Sequence, residues 1–459
     1  MARNAARVDN GITEGVIWKQ LLIFFFPILL GTFFQQLYNT VDAVIVGKFV
    51  GKEALAAVGG ATGTLINLLV GFFVGLASGA TVIIAQYYGG RNEEDTSRAV
   101  HTAVALAIVG GLAIMVIGIG LSPFALRAMG TPEEIMEYAL IYIRVYFGGV
   151  VFNLLYNIGS AILRAVGDSK RPLYFLIFCC LVNLVLDLVL VVGLHMGVFG
   201  VALGTLLSQA MSSVLVMLTL MRTTAMYRVV WKKVRFTGFM LHNIVRIGLP
   251  AGMQSVMYSV SNIIIQSSIN SFGTNTMAAW TAYGKIDGLF WMIMSAFGTS
   301  IMTFAGQNFG AGKYDRIGKS VRVCLYMAFG TSIVLSVVLY FSGQYIFTLF
   351  TDDAAVLEEG VMILRLLVPY YFTYIWIEVL SGAIRGTGDA FMPMLLTCLG
   401  ICVLRVVWIA VAVPLNRNIL TVVFSYPVTW IVTSVLFWIY YKRGKWMDRR
   451  LLEVGKVRK

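Results

Sequence analysis

The chain has 459 residues, 59% of them hydrophobic and only 12% charged, with a formal net charge of +13. A soluble domain carries about 25% charged residues, so this composition excludes an ordinary water-soluble enzyme or binding module. Apolar runs longer than about 18 residues recur along the whole length, too long and too uniform for outer-membrane barrel strands, and the fold class expected is an all-α polytopic membrane protein.

Twelve spans are predicted, at 16–40, 53–80, 96–120, 134–158, 170–193, 198–221, 241–268, 276–304, 318–342, 356–381, 391–414 and 419–442. With a cytoplasmic N-terminus, 27 of the 35 Lys and Arg fall on the cytoplasmic side. Lys48, Lys52, Arg127 and Arg417 fall on the other, and Arg144, Lys285, Arg365 and Arg405 lie deep in spans. This is the positive-inside asymmetry, which puts both termini in the cytoplasm of a multi-pass protein of the cell (plasma or inner) membrane. The basic excess therefore reports topology, and no nucleic-acid partner is expected. The first apolar segment is longer than a signal-peptide core and has no clear small-residue cleavage site after it. All five cysteines (Cys179, Cys180, Cys324, Cys398, Cys402) fall within spans and read as small core or lipid-facing residues. His101, His195 and His242 sit near span ends.

The chain repeats itself. AQYYGGRNEEDTSRAV (85–100) aligns without gaps on GQNFGAGKYDRIGKSV (306–321), a shift of 221. At the same shift Arg164, Gly167, Asp168 and Pro172 of ILRAVGDSKRPL meet Arg385, Gly388, Asp389 and Pro393 of AIRGTGDAFMPM, and Arg144 meets Arg365. Pro27 matches Pro250 at a shift of 223. Six spans per copy is an even number, so the two six-helix lobes enter with the same orientation, a parallel pseudo-two-fold repeat. The expected organisation is an N-lobe at 1–220, a basic cytoplasmic linker at 221–240 and a C-lobe at 241–459 with a basic tail. In each RxxGD the Arg and Asp are able to bind each other or free helix-end groups. Duplicated lobes favour an alternating-access transporter over a channel, and no metalloprotease, hydrolase or nucleotide-binding motif argues for an enzyme.

The polar residues inside the spans carry the chemistry. LVNLVLDLVLVV (181–192) holds one carboxylate, Asp187, one helical turn from Asn183. An ionised carboxylate near a bilayer midplane is costly. The first span offers Pro27, Gln35, Gln36, Tyr38, Asn39, Thr40 and Asp42; the second offers Asn67, and the sixth Thr205 and Ser208. Two carboxylates with amide and hydroxyl oxygens suit a hard monovalent cation or a shared proton. Hence Asp42, Asn183, Asp187 and Thr205 form the candidate cation or proton site, with Na+ a possible occupant. Pro27 removes a helix hydrogen bond and permits a gating bend. The second copy has Trp408 and Leu404 where Asp187 and Asn183 stand, and its polar residues are Lys285, Asp287, Glu378 and Arg405. With Gln35, Tyr38, Asn39, Asn67 and Tyr283, the acids Asp287 and Glu378 are candidate substrate-cavity residues. Aromatics including Phe33, Phe34, Tyr156, Trp291, Tyr371, Tyr374 and Trp376 are available for ring-face contact with flat cations.

Two six-helix halves, a first-span proline, TVDAVIVGKFVGKEALAAVG (40–59), RAVGDSKRP and the Asn183/Asp187 pair together resemble the multidrug and toxic compound extrusion family over about residues 14–445. The resemblance implies an antiporter that exports organic, often cationic, compounds against a sodium or proton gradient, with no cofactor beyond the coupling ion. It implies a monomer among membrane lipids. Pro27 matches the family's first-span proline, Asp42 its first-span acid, and Asn183, Asp187 and Thr205 the first-lobe cation site of the DinF-like branch. The seventh span has no acid, and Glu378 lies about two turns from where a NorM-like acid falls, which favours the DinF-like branch. The rival readings are a flippase for lipids or lipid-linked glycans, which calls for an Arg- and Lys-rich cavity, and a non-transporting sensor or scaffold.

Overall fold

The computed structural model describes residues 11–453, and among them there is no β-strand. The long helices in chain order are α1 (Ile17–Val50), α2 (Lys52–Gly89), α3 (Glu93–Ala128), α4 (Glu133–Ala165), α5 (Lys170–Gly193) and α6 (Gly197–Arg222). The second set is α7 (Gly238–Asn270), α8 (Thr274–Gly310), α9 (Tyr314–Phe347), α10 (Ala354–Gly386), α11 (Phe391–Leu415) and α12 (Ile419–Arg443). Ten of these are long and apolar enough to cross a bilayer, and α4, bent by 49° at Gly148–Val150, makes an eleventh. The remaining helix, α7, has 33 residues, which is ~50 Å at 1.5 Å per residue. It spans by length and fails only on composition, because Gln254, Ser255, Ser259, Ser261, Asn262 and Gln266 dilute its apolar run. Most helices overshoot their apolar spans, because hydropathy measures hydrocarbon thickness while backbone hydrogen bonding continues into the interface.

The repeated loops end their helices alike and begin the next ones differently. In the first copy Asn92 caps α3 by accepting from the Asp95 amide at 3.0 Å, with Glu93, Glu94 and Asp95 in the first turn, where the helix dipole favours them. The second copy has no side-chain cap; Lys313 and Arg316 donate to the carbonyls of Thr13 and Ile12 at 3.0 and 3.2 Å and hold the short helix Gly11–Glu14. In both RxxGD turns the glycine takes a left-handed φ, 96° at Gly167 and 100° at Gly388. The Arg and Asp do not pair. Asp168 accepts from the Arg171 amide at 3.1 Å and Asp389 from the Met392 amide at 3.3 Å, so each acid serves the free end of the next helix.

Two compact units form, one of Phe26–Gly252 and the other of the chain up to Phe25 with the chain from Met253 onward. The division does not fall at the 221–240 linker, because the leading parts of α1 and α7 pack with the other repeat. Phe25 stacks on Phe297 of α8, ring centroids 4.3 Å apart. On the other side α7 lies backbone to backbone against α2 through two facing small-residue motifs, Gly75/Gly79 and Gly248/Gly252. A methyl group at Gly252 would sit 2.8 Å from the Phe72 carbonyl oxygen, and one at Gly79 would overlap the carbonyl of Ile244. Glycine at every fourth position is what lets two membrane helices approach this closely. Both crossings lie within three residues of the repeated prolines, Pro27 and Pro250. The linker is pinned to α3: His101 Nε2 accepts from the Val230 amide at 3.0 Å, and Thr102 Oγ1 accepts from Thr237 at 3.2 Å.

Gly79→Val forces these helices apart and should destabilise the protein by about 1–3 kcal/mol, read as a lowered melting temperature in detergent. Gly110→Ala, where an added methyl meets nothing within 4 Å, should leave melting unchanged or slightly raised. Equal melting of Gly79→Val and wild type would contradict the packing argument.

Candidate functional site

Inside the Phe26–Gly252 unit a cavity of ≈ 270 Å³ is walled by five helices. Residues of α1 from Pro27 to Asp42 form one side: Gly31, Thr32, Gln35, Tyr38 and Asn39 all return to the same face at 100° per residue. Asn67 of α2 and Thr205, Ser208, Gln209 and Ser212 of α6 complete the polar wall near them. The predicted residues Pro27, Gln35, Tyr38, Asn39, Asp42, Asn67 and Thr205 thus share one chamber. Sequence reading passed over Tyr142, Tyr146, Asn153 and Asn157 of α4, and placed Arg164 only in the repeated turn; with Tyr156 all five fall on one helical face. Its signal was present as helical periodicity of polar groups in an otherwise apolar run.

Asp42 is 7% exposed, Thr205 4%, Asn183 1% and Asp187 fully buried. Asn183 and Asp187 do not line the cavity; they lie behind its wall, on the α5 face that meets α6. There Gly204 supplies the room, since a methyl group on it would sit 2.5 Å from Asp187 Oδ1. The carboxylate occupies the volume a side chain would take. Just beyond Asp187 the helix is wound more widely as a π-helix, Leu188–Gly193, and α1 does the same after Asp42 at Val46–Val50. Such turns are rare and concentrate at functional sites.

Asp42 of α1 and Asp187 of α5 are close enough for their charges to repel each other. Thr205 Oγ1 reaches Asp42 Oδ2 at 3.5 Å, long for a hydroxyl donor. Asp42 Oδ1, both oxygens of Asp187 and the Asn183 amide nitrogen have no hydrogen-bond partner among the described residues. Turning the Asn183 amide over would present its oxygen to the same space. With both acids ionised the pair has one long hydrogen bond, from Thr205 to Asp42, and the repulsion and desolvation are largely uncompensated. One proton shared between them, or a small hard cation ligated by carboxylate, hydroxyl and amide oxygens, satisfies the set. Among the described residues no group of three His, Cys, Asp or Glu forms a transition-metal site.

Tyr283, Asp287 and Glu378 belong to the other unit and are already partnered. Asp287 accepts from Trp291 at 2.6 Å, Tyr371 at 2.7 Å and Tyr283 at 3.0 Å. Around it Phe290 stacks on Tyr371 at 4.1 Å, and Arg405 lies 4.0 Å over the Tyr426 ring. Glu378 accepts from Tyr374 at 3.2 Å and faces the charge of Arg385, which donates to Gln254 at 2.9 Å. Trp408, standing where the first copy has Asp187, spends its N–H on the Thr421 carbonyl at 2.8 Å. Of the aromatics expected around flat cations, Tyr38 and Tyr156 line the cavity, while Trp291, Tyr371 and Tyr374 form the packed cluster around Asp287.

Comparison with known proteins gives a consistent picture. The MatE family model matches residues 27–189 and 250–411, one match per repeat. The chain is 28% identical to the probable multidrug resistance protein YoeA of Bacillus subtilis, over 93% of this chain and 94% of that one. It is 26% identical to the probable multidrug resistance protein YpnP of the same organism, over 96% and 98%. Among solved structures, an outward-facing multidrug resistance MATE family transporter superposes with a TM-score of 0.88 at 22% identity, over 95% of this chain and 98% of that one.

A cation in the acidic pair relieves the repulsion, so replacing choline with Na+, or acidifying the buffer, should raise the wild-type melting temperature. Asp187→Asn should lose that response, and Gly204→Ala, which keeps both acids and takes their space, should weaken it. An undiminished response in Asp187→Asn would contradict the assignment.

Proposed function

The chain belongs to the MatE family, and from that membership we propose that it is a secondary active multidrug exporter, moving small organic compounds, often cationic, out of the cell in exchange for H+ or Na+ by alternating access. The observation that carries the coupling half of this reading is the buried pair Asp42 and Asp187, with three carboxylate oxygens left without partners. A coupling ion does work only by binding two states unequally. Here the differential is local. The empty pair repels, the occupied pair draws α1 and α5 together, and α1 is the helix interrupted by Pro27, which offers no amide hydrogen to the carbonyl of Ile23.

In the proposed cycle a cation enters from the outside and settles between the two acids, with Thr205 and Asn183 supplying the remaining oxygens. α1 repacks around Pro27, the cavity wall from Gln35 to Asp42 shifts, and the substrate held there is released outward. The cation then leaves on the cytoplasmic side, where the charge asymmetry of the sequence places both termini. The protein acts as a monomer in the cell membrane. A flippase reading finds less support, because a lipid phosphate calls for several basic groups and the cavity wall carries one, Arg164.

Everted vesicles supplied with ethidium in the medium and given an imposed Na+ gradient, or a pH gradient alone, identify the coupling ion by which gradient drives ethidium uptake. Asp187→Asn should insert normally and lose at least about 90% of gradient-driven transport, as expected when an essential ion ligand is removed. Full transport by that variant would overturn the coupling assignment.

A further inference from the structure

The cavity is longer than a binding site needs. Its α4 wall runs from Tyr142 to Arg164, ~33 Å of helix at 1.5 Å per residue, close to the hydrocarbon thickness of about 30 Å. At one end stands Asp42; at the other stand Arg164, Ser169 and Pro172, on the side that the charge asymmetry assigns to the cytoplasm. Between them lie tyrosine hydroxyls and amides, groups that water and cations can follow. A cation that reached Asp42 and then ran down this chamber to the cytoplasm would dissipate the gradient without moving any substrate. Coupling requires that this end be closed to cations.

Among the described residues that line the cavity, two carry charge, Asp42 and Arg164. The acid nearest in sequence, Asp168, is taken by Arg171, at 3.3 Å to its Nε and 3.1 Å to its amide. Among the described residues no carboxylate lies within ion-pair distance of Arg164. The repeat shows what compensation looks like. Its counterpart Arg385 faces Glu378 and donates to Gln254 and Ser381. At the shift of 221, the position of Glu378 is Asn157 in the first copy, a neutral amide that donates to Asn153 instead. The second copy neutralises its arginine; the first copy leaves it bare at the end of a membrane-long polar chamber.

We propose that Arg164 is a fixed electrostatic stop that seals the cytoplasmic end of this cavity to the coupling cation. A guanidinium keeps its charge at any physiological pH. In a narrow space with low-dielectric walls that charge repels cations, sodium and hydronium alike, while water and neutral groups are tolerated. The coupling cation therefore cannot run straight through the chamber, and it reaches the cytoplasm only after a change of state. Asn157 is part of the device, because a carboxylate there would cancel the stop.

The inference rests on the coupling reading of Asp42 and Asp187, and the test separates the two. Purified protein in liposomes, without drug, is given a gradient of whichever cation drives export by the wild type, and entry is followed with a sodium- or pH-sensitive dye. Arg164→Met keeps the stem and removes the charge; Asn157→Glu keeps Arg164 and supplies the second copy's counter-ion. Cation leak through either folded variant should exceed wild type by about tenfold or more, and Arg164→Lys, which restores the charge, should be as tight as wild type. Leak in Arg164→Met that Arg164→Lys does not restore would assign Arg164 a packing role and overturn the proposal. So would cation-tight behaviour of both Arg164→Met and Asn157→Glu in a preparation whose wild type shows coupled export. If wild type itself shows no cation flux coupled to export, the site reading fails first and this inference with it.

Discussion

Two carboxyl groups placed against each other out of water are the constraint around which the first unit is organised. They cannot both be ionised there without help, and among the described residues no neighbouring lysine or arginine supplies it. The features around them follow from that need. Gly204 lets α6 approach without displacing Asp187, Thr205 turns its hydroxyl toward Asp42, and both acid-bearing helices change winding just past the acids. A pair of this kind has two conditions, occupied and empty, whose energies differ sharply. That difference is available to move a helix only if the helix can bend, and α1 is the one carrying both an acid of the pair and an interior proline.

The second unit pairs its own acids and has a neutral residue where the first copy has Asp187. Asp287 is saturated by three donors, Glu378 faces Arg385, and Trp408 fills the position of Asp187 with its one polar atom satisfied. A charge that is fully paired has little to gain from a cation. Duplication gave both halves the same helices and turns, and among the described residues the buried carboxylate oxygens without a partner are all in the first. The family membership of the chain and its superposition on a MATE transporter place this asymmetry in an export fold.

Much of this was legible in the sequence, for physical reasons. Apolar run length reports hydrocarbon thickness, so helix number and order followed, and the gapless repeat gave the two-fold organisation. Proline and acid in one span, with Asn183 and Asp187 one turn apart in another, announced a site because such groups are expensive in lipid. Other features depended on tertiary placement. The exchange of the leading parts of α1 and α7 between compact units rests on facing glycines at Gly75, Gly79, Gly248 and Gly252, whose partners no single helix reveals. The repeated Arg and Asp read as able to bind each other or free helix-end groups, and the second is what each acid does, Asp168 with the Arg171 amide and Asp389 with the Met392 amide. Tyr142, Asn153 and Asn157 escaped notice because each looks ordinary alone, and Arg164 read as part of a turn; only their common face along α4 makes a wall.

The acidic pair is the claim on which the rest stands, and infrared difference spectroscopy of the purified protein addresses it without relying on transport. A carboxyl that holds a proton has a carbonyl stretch that an ionised one lacks. The account predicts a buried-carboxyl band that disappears when the medium is made alkaline or the proton is replaced by Na+, and that is absent from Asp187→Asn. Spectra of wild type and variant that are identical and unresponsive to either cation would show two permanently ionised or permanently silent acids, and would contradict it.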